Sequence, residues 1–297
     1  MAIFNSEERI NTPASKNDLY YTLKISWKPI GGRIMMAGIR RAAVAELFYP
    51  GRPTELAHVL DELLSSSKPV LNIPPKAIVA PHAGYIYSGA CAAAIYGQFQ
   101  KVRDKIKRVV LLGPAHRVPL SGLAMSSADF FETPLGQVPV DKESYALISD
   151  LDFVGLNDYA HRDEHSLEVH IPFLQCIFSS FSIVPLVVGS APPQQIATVL
   201  ERLWGGPETL CVVSSDLSHF HAYEEAKKLD SETTHAIESL DYLSLNYENA
   251  CGRDPLSGLL LIAQHKGLSV TTISQCNSGD TAGDRSRVVG YGAYAFN

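Results

Sequence analysis

The sequence predicts an α/β fold with a mainly parallel central sheet and helices on both faces. Three observations predict it. Apolar runs of strand length, Lys76–Ala80, Arg108–Leu112, Ile183–Val188 and Thr209–Ser214, alternate with longer segments of helical period. These runs are apolar throughout, as strands buried on both faces are. No linker interrupts the alternation between Ile39 and Asn297, so residues 39–297 read as a single domain.

The elements follow in order. Residues 1–38 are polar and irregular, and Met35-Met36 falls just before the first patterned segment. They read as an unstructured extension or as upstream sequence outside the true reading frame; the alternative is an edge strand at Tyr20–Trp27. Ala42–Tyr49 is apolar and ends in a Pro50-Gly51 turn. Thr54–Ser66 presents Leu56, Val59, Leu60, Leu63 and Leu64 on one helical face. Lys76–Ala80 is a strand, and Ser88–Gln98 a helix. Arg108–Leu112 and Leu123–Ser126 are further strands, and Glu132–Asp141 has hairpin chemistry. Lys142–Asp150 and the segment from Ile171 to about Phe178 are helical, as are Gln194–Trp204 and Tyr223–Leu240. A shorter helix is expected to end at Ala250-Cys251-Gly252. Asp254 and Pro255 suit the N-cap and first turn of the next one. Leu268–Ser274 and Val288–Phe296 close the chain as strands.

The totals exclude several classes. A net charge of −6 without a functional basic cluster argues against nucleic-acid binding. No apolar run approaches the roughly 18 residues of a membrane span. The N-terminus has no signal-peptide pattern, and five dispersed cysteines lack CxxC spacing, so the protein is expected to be cytoplasmic and reduced. Cys91, Cys176 and Cys211 read as small core residues. Phosphate-loop, GxGxxG and GxSxG patterns are absent.

Three strands end in ligand-type residues. Ala80-Pro81-His82-Ala83-Gly84-Tyr85 carries His82, Gly113-Pro114-Ala115-His116 carries His116, and Ser215-Asp216-Leu217-Ser218-His219 carries Asp216 and His219. In a parallel sheet all lie at the carboxyl edge, where ligands bind. Two histidines with a third donor suit iron, copper or zinc. The third donor is either a carboxylate or Cys251, whose thiol would be acidified by a nearby helix N-terminus. Asp216 and His219 are either an orienting carboxylate and a general acid or base, or a helix cap and a loop contact. In His161–His170 the order fits no zinc motif. Asp163 and Glu164 read there as acids meeting a helix dipole, while Glu168 and His170 are candidates to line a pocket. Tyr85, Tyr87 and Phe220 suit a cleft for an aromatic or peptide group.

PHAGY at 81–85, GPAH at 113–116, DEHSLEVHIPF at 163–173, SSDLSH at 214–219 and CGRDP at 251–255 together resemble the Memo family, whose bacterial members are called AmmeMemoRadiSam system protein B. The resemblance runs from about Ile39 to the C-terminus. The family's opening usually reads AVAGxFYP; here it is AVAELFYP, with Glu46 at the glycine. The resemblance implies a fold similar to class III extradiol dioxygenases. It implies metal binding by His82, His116 and Cys251, and an acid/base role for His219 beside Asp216. A cysteine where the dioxygenases hold a carboxylate sets ordinary ring cleavage in question. Iron is the expected metal, copper next, zinc less so. The family name implies association with a radical SAM protein and an AMMECR-type protein, and the substrate is an unidentified small molecule or peptide. Two readings stand: a metal-dependent, dioxygenase-like oxidoreductase, or a partner-binding module using the same cleft. Zinc-assisted hydrolysis is a third.

Overall fold

Residues 38–297 are described here by a computed structural model. The expected N-terminal extension, Gly38 apart, and the alternation at Tyr20–Trp27 lie outside the described residues.

In chain order the elements are β1 (Ile39–Arg40), α1 (Pro53–Ser66), β2 (Ala77–Ala80), α2 (Tyr85–Tyr96), β3 (Arg108–Pro114), β4 (Leu123–Met125), β5 (Phe130–Thr133), β6 (Gly136–Pro139), α3 (Lys142–Ala146), β7 (Val154–Leu156), α4 (Asp158–Arg162), α5 (Ile171–Ile177), β8 (Ser182–Val188), α6 (Pro193–Leu203), β9 (Thr209–Ser214), β10 (His219–His221), α7 (Tyr223–Glu238), α8 (Arg253–Lys266), β11 (Val270–Asn277) and β12 (Val288–Phe296). The main sheet runs β10-β12-β2-β9-β3-β8-β4-β7, with β11 paired to β12. Its centre, β2-β9-β3-β8, is parallel. The flanks turn antiparallel, β12 against β2 and β4 against β8. The centre is parallel because these strands are apolar at nearly every position and buried on both faces. The last strand is antiparallel because β11 feeds it through a short connection, with no crossover helix to reverse it.

Cross-strand alternation separates the helical layers. Gly290 and Tyr294 of β12 meet Asp230 and Thr234 of α7, so Tyr291 and Ala293 face the opposite side, where α2 packs. Helices α1, α2 and α5 pack together, and α6 packs on α8. In α1 the expected stripe is buried at Leu56, Leu60 and Leu64. Strands β5 and β6 form the expected hairpin, and β1 adds to it as a small second sheet.

Two local expectations are corrected. No helix precedes Cys251; residues 241–252 form turns. Helix α8 is capped by Gly252, not Asp254, whose carboxylate pairs with Arg253 and Tyr247 in the first turn. The first turn of the domain keeps a left-handed backbone at Glu46, φ 70°. Its side chain lies over Gly51, where any Cβ would collide with it.

Candidate metal centre

In the order β2-β9-β3, three neighbouring strands deliver His82, Ser214 to Asp216, and His116 to one edge. Neighbouring strands are about 4.8 Å apart, so side chains leaning inward from the outer two meet above the middle one. Cys251 arrives from the other direction, in the turn before α8. It is fastened there by Gly252 N–H to Ser215 Oγ (3.0 Å) and by Asp216 N–H to Cys251 Sγ (3.3 Å). Gly252 is needed for this approach: a Cβ on it would stand 2.5 Å from the Ser214 carbonyl oxygen.

One ligand atom from each of His82, His116 and Cys251 lies within 4.8 Å of the others, and His82 Nε2 is 3.3 Å from Cys251 Sγ. The outer contacts fix which ring nitrogens face the centre. Ser214 Oγ donates to the Ser166 carbonyl (2.6 Å), so it accepts from His82 Nδ1 (2.6 Å). His116 Nδ1 donates to Glu164 Oε1 (2.9 Å). Both Nδ1 protons are thus committed outward, which leaves both Nε2 lone pairs free, that of His82 beside Cys251. His82 is buried, with 2% of its side chain exposed, while His116 is open at 27%. The centre is therefore reached from the His116 side.

Electrostatics disfavour the charged forms of His82, Cys251 and Asp216 unless a cation is present. Burial, with neighbouring imidazoles behind it, lowers His82 well below its ordinary value. Burial also pushes the Cys251 thiol up, and the Asp216 carboxylate adds to it. This reverses the expectation that a helix N-terminus acidifies Cys251: desolvation outweighs the hydrogen bonds that favour the thiolate. Burial raises Asp216 to about 7 although its Oδ1 accepts the His82 backbone N–H at 2.8 Å. Two free lone pairs, a thiol and a protonatable carboxyl fit a divalent cation, which favours the thiolate and carboxylate that burial penalises.

The remaining expected residues fall in different places. Asp216 borders the centre, its Oδ2 3.9 Å from His82 Nε2. His219, on β10, is half-buried, and burial lowers its pKa, with the His116 ring a lesser cause. Tyr85 opens α2 and turns its hydroxyl away to the Val169 carbonyl (2.7 Å). Glu168 is not brought to the centre. It is fully buried under the first turn, pairs with Arg40 and accepts from Ala43 N–H (2.8 Å) and Val44 N–H (3.0 Å). His170 lies deeper, against the Tyr96 hydroxyl (2.9 Å). Tyr87 and Phe220 are exposed, and Phe220 adopts φ 64°.

Sequence reasoning missed Glu164 and His165. Glu164 does not meet a helix dipole; α4 ends at Arg162, and the Glu164 carboxylate is buried against His116. Burial alone would raise its pKa, but the hydrogen bonds and charge of His116 bring it down to about 2. His165 stacks on His116, ring centroids 4.6 Å apart, and packs edge-on to His82 at 5.4 Å. Phe48 covers its other side at 4.7 Å. The signal available in the sequence was the crowding of three histidines and three acids into residues 161–170. A groove of about 1260 Å³ lies beside this cluster rather than over it, between the 46–52 turn, α1 and α2. A smaller cavity of about 240 Å³ reaches Cys251 beside Pro114, Tyr247 and Asp254.

The fold and the site together define an α/β protein with a two-histidine, one-cysteine cluster able to hold a metal ion at the carboxyl edge of its parallel strands. Comparison with known proteins gives the family. A family model described as Memo-like protein matches residues 40–295, and the chain belongs to that family. It is 37% identical to a MEMO1 family protein of Aquifex aeolicus, covering 85% of this chain and 97% of the relative. It is 33% identical to a MEMO1 family protein of Sulfolobus acidocaldarius, covering 87% and 99%. A solved structure from Escherichia coli K12, described as uncharacterized protein JW3007, aligns with a TM-score of 0.48 and 13% identity over 74% of this chain and 98% of its own. No helix among the described residues is long and apolar enough to cross a membrane.

Proposed function

We propose that this chain is a metal-dependent redox protein whose single metal is held by His82 Nε2, His116 Nε2 and Cys251 Sγ. The observation that carries this reading is the outward commitment of both Nδ1 protons to Ser214 and Glu164. Histidines that hold metals are oriented in this way by partners behind them. The mixed imidazole and thiolate set suits iron, copper or zinc, and the family resemblance puts iron first and copper next. When bound, the metal supplies a Lewis-acidic, redox-active position open to a small molecule or a modified side chain. The chain's own residues do the rest. Ser214 and Glu164 hold the two rings in register. Asp216, raised to about 7, carries or releases a proton beside His82 at neutral pH. His219 is the second proton-handling group, on the more open side. Association with a radical SAM protein and an AMMECR-type protein, and a reducing cytoplasmic setting, belong to this proposal.

Metal analysis of untagged protein tests the reading. Stoichiometric iron or copper in the parent chain, lost from a His82→Ala, His116→Ala double variant that retains its fold, supports it. Unchanged metal content in that variant overturns it, and recovery of zinc alone overturns its redox part. A second reading, a partner-binding module, is favoured by the large groove, which exposes Leu47 and Ile86. It predicts that Cys251→Ser leaves function in cells intact.

A further inference from the structure

Away from the candidate metal centre, two cysteines from distant parts of the chain face each other across a helix–sheet interface. Cys91 lies in the middle of α2, and Cys276 lies near the end of β11. In the register of β11 on β12, Cys276 stands opposite Tyr291 and Ser274 opposite Ala293. Those β12 positions face α2 rather than α7, as the meeting of Gly290 and Tyr294 with α7 establishes. Cys276 therefore points at α2. From the other side, Cys91 Sγ lies 3.8 Å from the Ser274 carbonyl oxygen, one strand repeat from Cys276. Both thiols are free.

Their surroundings differ in a way that suits a reaction. Cys91 is 1% exposed, whereas Cys276 is half-buried. The Cys91 side chain also favours the ionised form of Cys276. One thiol is thus reachable and more acidic, and its neighbour is enclosed and placed to resolve whatever forms on it. Low-pKa accessible thiols beside a second cysteine are the usual arrangement of redox-responsive sites.

We infer that Cys91 and Cys276 are a dithiol that is oxidised to an intramolecular disulfide by small disulfide-containing thiols, tying α2 to β11. The Cys276 thiolate attacks one sulfur of the small disulfide and releases one small thiol, leaving a mixed disulfide on Cys276. The Cys91 thiolate then attacks Cys276 sulfur, and the second small thiol leaves. The two cysteines lose two electrons and two protons. The small disulfide gains both and becomes two thiols. The cross-link would close a loop of about 185 residues, a span whose closure restricts the unfolded chain strongly. It would fix α2, whose first turn carries Tyr85 directly after the His82 loop.

Oxidised glutathione is the probe, used on the full chain in a Cys251→Ser background so that the metal-centre thiol does not compete. Free thiols are counted, and the cysteine-containing peptides are mapped without reduction. The expected result is loss of two thiols and a Cys91–Cys276 linked peptide, restored to thiols by dithiothreitol. In Cys91→Ser the expected product is a lasting glutathione adduct on Cys276. In Cys276→Ser the expected result is no reaction at Cys91. A glutathione adduct that persists on Cys276 with Cys91 free in the parent background overturns the inference. So does an unchanged thiol count, or a link between any other pair.

Discussion

A carboxylate that accepts hydrogen bonds from several fixed donors cannot swing away from them. Glu164 accepts from the backbone N–H groups of His116, His165 and Ser166 and from His116 Nδ1. It fixes both the position and the tautomer of one proposed ligand. Glu164→Gln keeps the shape but turns an amide N–H₂ toward one of those donors. Metal affinity is expected to fall about 10- to 100-fold, the usual cost of losing such a partner, as read by competition with a chromophoric chelator. Affinity equal to that of the parent would show that Glu164 is structural only. His82 and His116 were legible in the sequence as candidate ligands because each stands just past a strand end; Cys251 was one of two choices for the third donor until the family resemblance picked it out. Glu164 was not legible. It precedes an apolar helix and looks like an ordinary acid at a helix start, and its partner lies 48 residues earlier. No local pattern records that distance. Glu168 misled for the converse reason: an acid among histidines suggested a pocket, while its real partners are the first turn and Arg40.

Elements of this fold are positioned by close approaches that periodicity does not encode. Alternating apolar strands and amphipathic helices were enough to place most of them, including all four central strands. The turn carrying Cys251 was misread as a helix because residues 241–250 have no strong breaker. What holds it is tertiary: Ser215 and Asp216 grip it from the end of β9. Gly252 is therefore a test of the whole arrangement. In Gly252→Ala the new Cβ meets the Ser214 carbonyl oxygen at 2.5 Å and Ser215 Cβ at 2.6 Å. Relief requires the strand end and the turn to separate. Overpacking of this kind costs about 1–3 kcal/mol, and it carries Cys251 away from the two histidines. Urea unfolding should show that loss, and metal binding should weaken with it. Gly155→Ala, where nothing lies within 4 Å of the added carbon, is the matched control and should change neither. Full metal affinity in Gly252→Ala would show that Cys251 is not held by this contact.

At the scale of the whole molecule, buried neutral histidines set the acid limit of the metal-free protein. Burial lowers His161 to about 4 and His170 to about 3, from an ordinary value near 6.5. For each, the folded-state value lies below the unfolded one. Their contribution is fully present above about pH 6.5 and is lost as pH falls toward the folded values. Asp216, raised to about 7, acts in the opposite direction between about pH 4 and 7, but it is one group against two. Unfolding free energy should therefore fall on acidification from pH 6.5 to 4, by about 1.4 kcal/mol per pH unit for each net proton taken up on unfolding. Urea midpoints at pH 7 and pH 5 check this; an equal or higher midpoint at pH 5 refutes it. Glu46 holds a left-handed backbone that costs an L-residue about 1–2 kcal/mol, in a turn whose next residues set Phe48 against His165. Natural chains drift until stability nears the threshold their function requires, and no further. A glutamate in a conformation that glycine adopts freely leaves stability unclaimed at the first turn, next to the site which that turn supports.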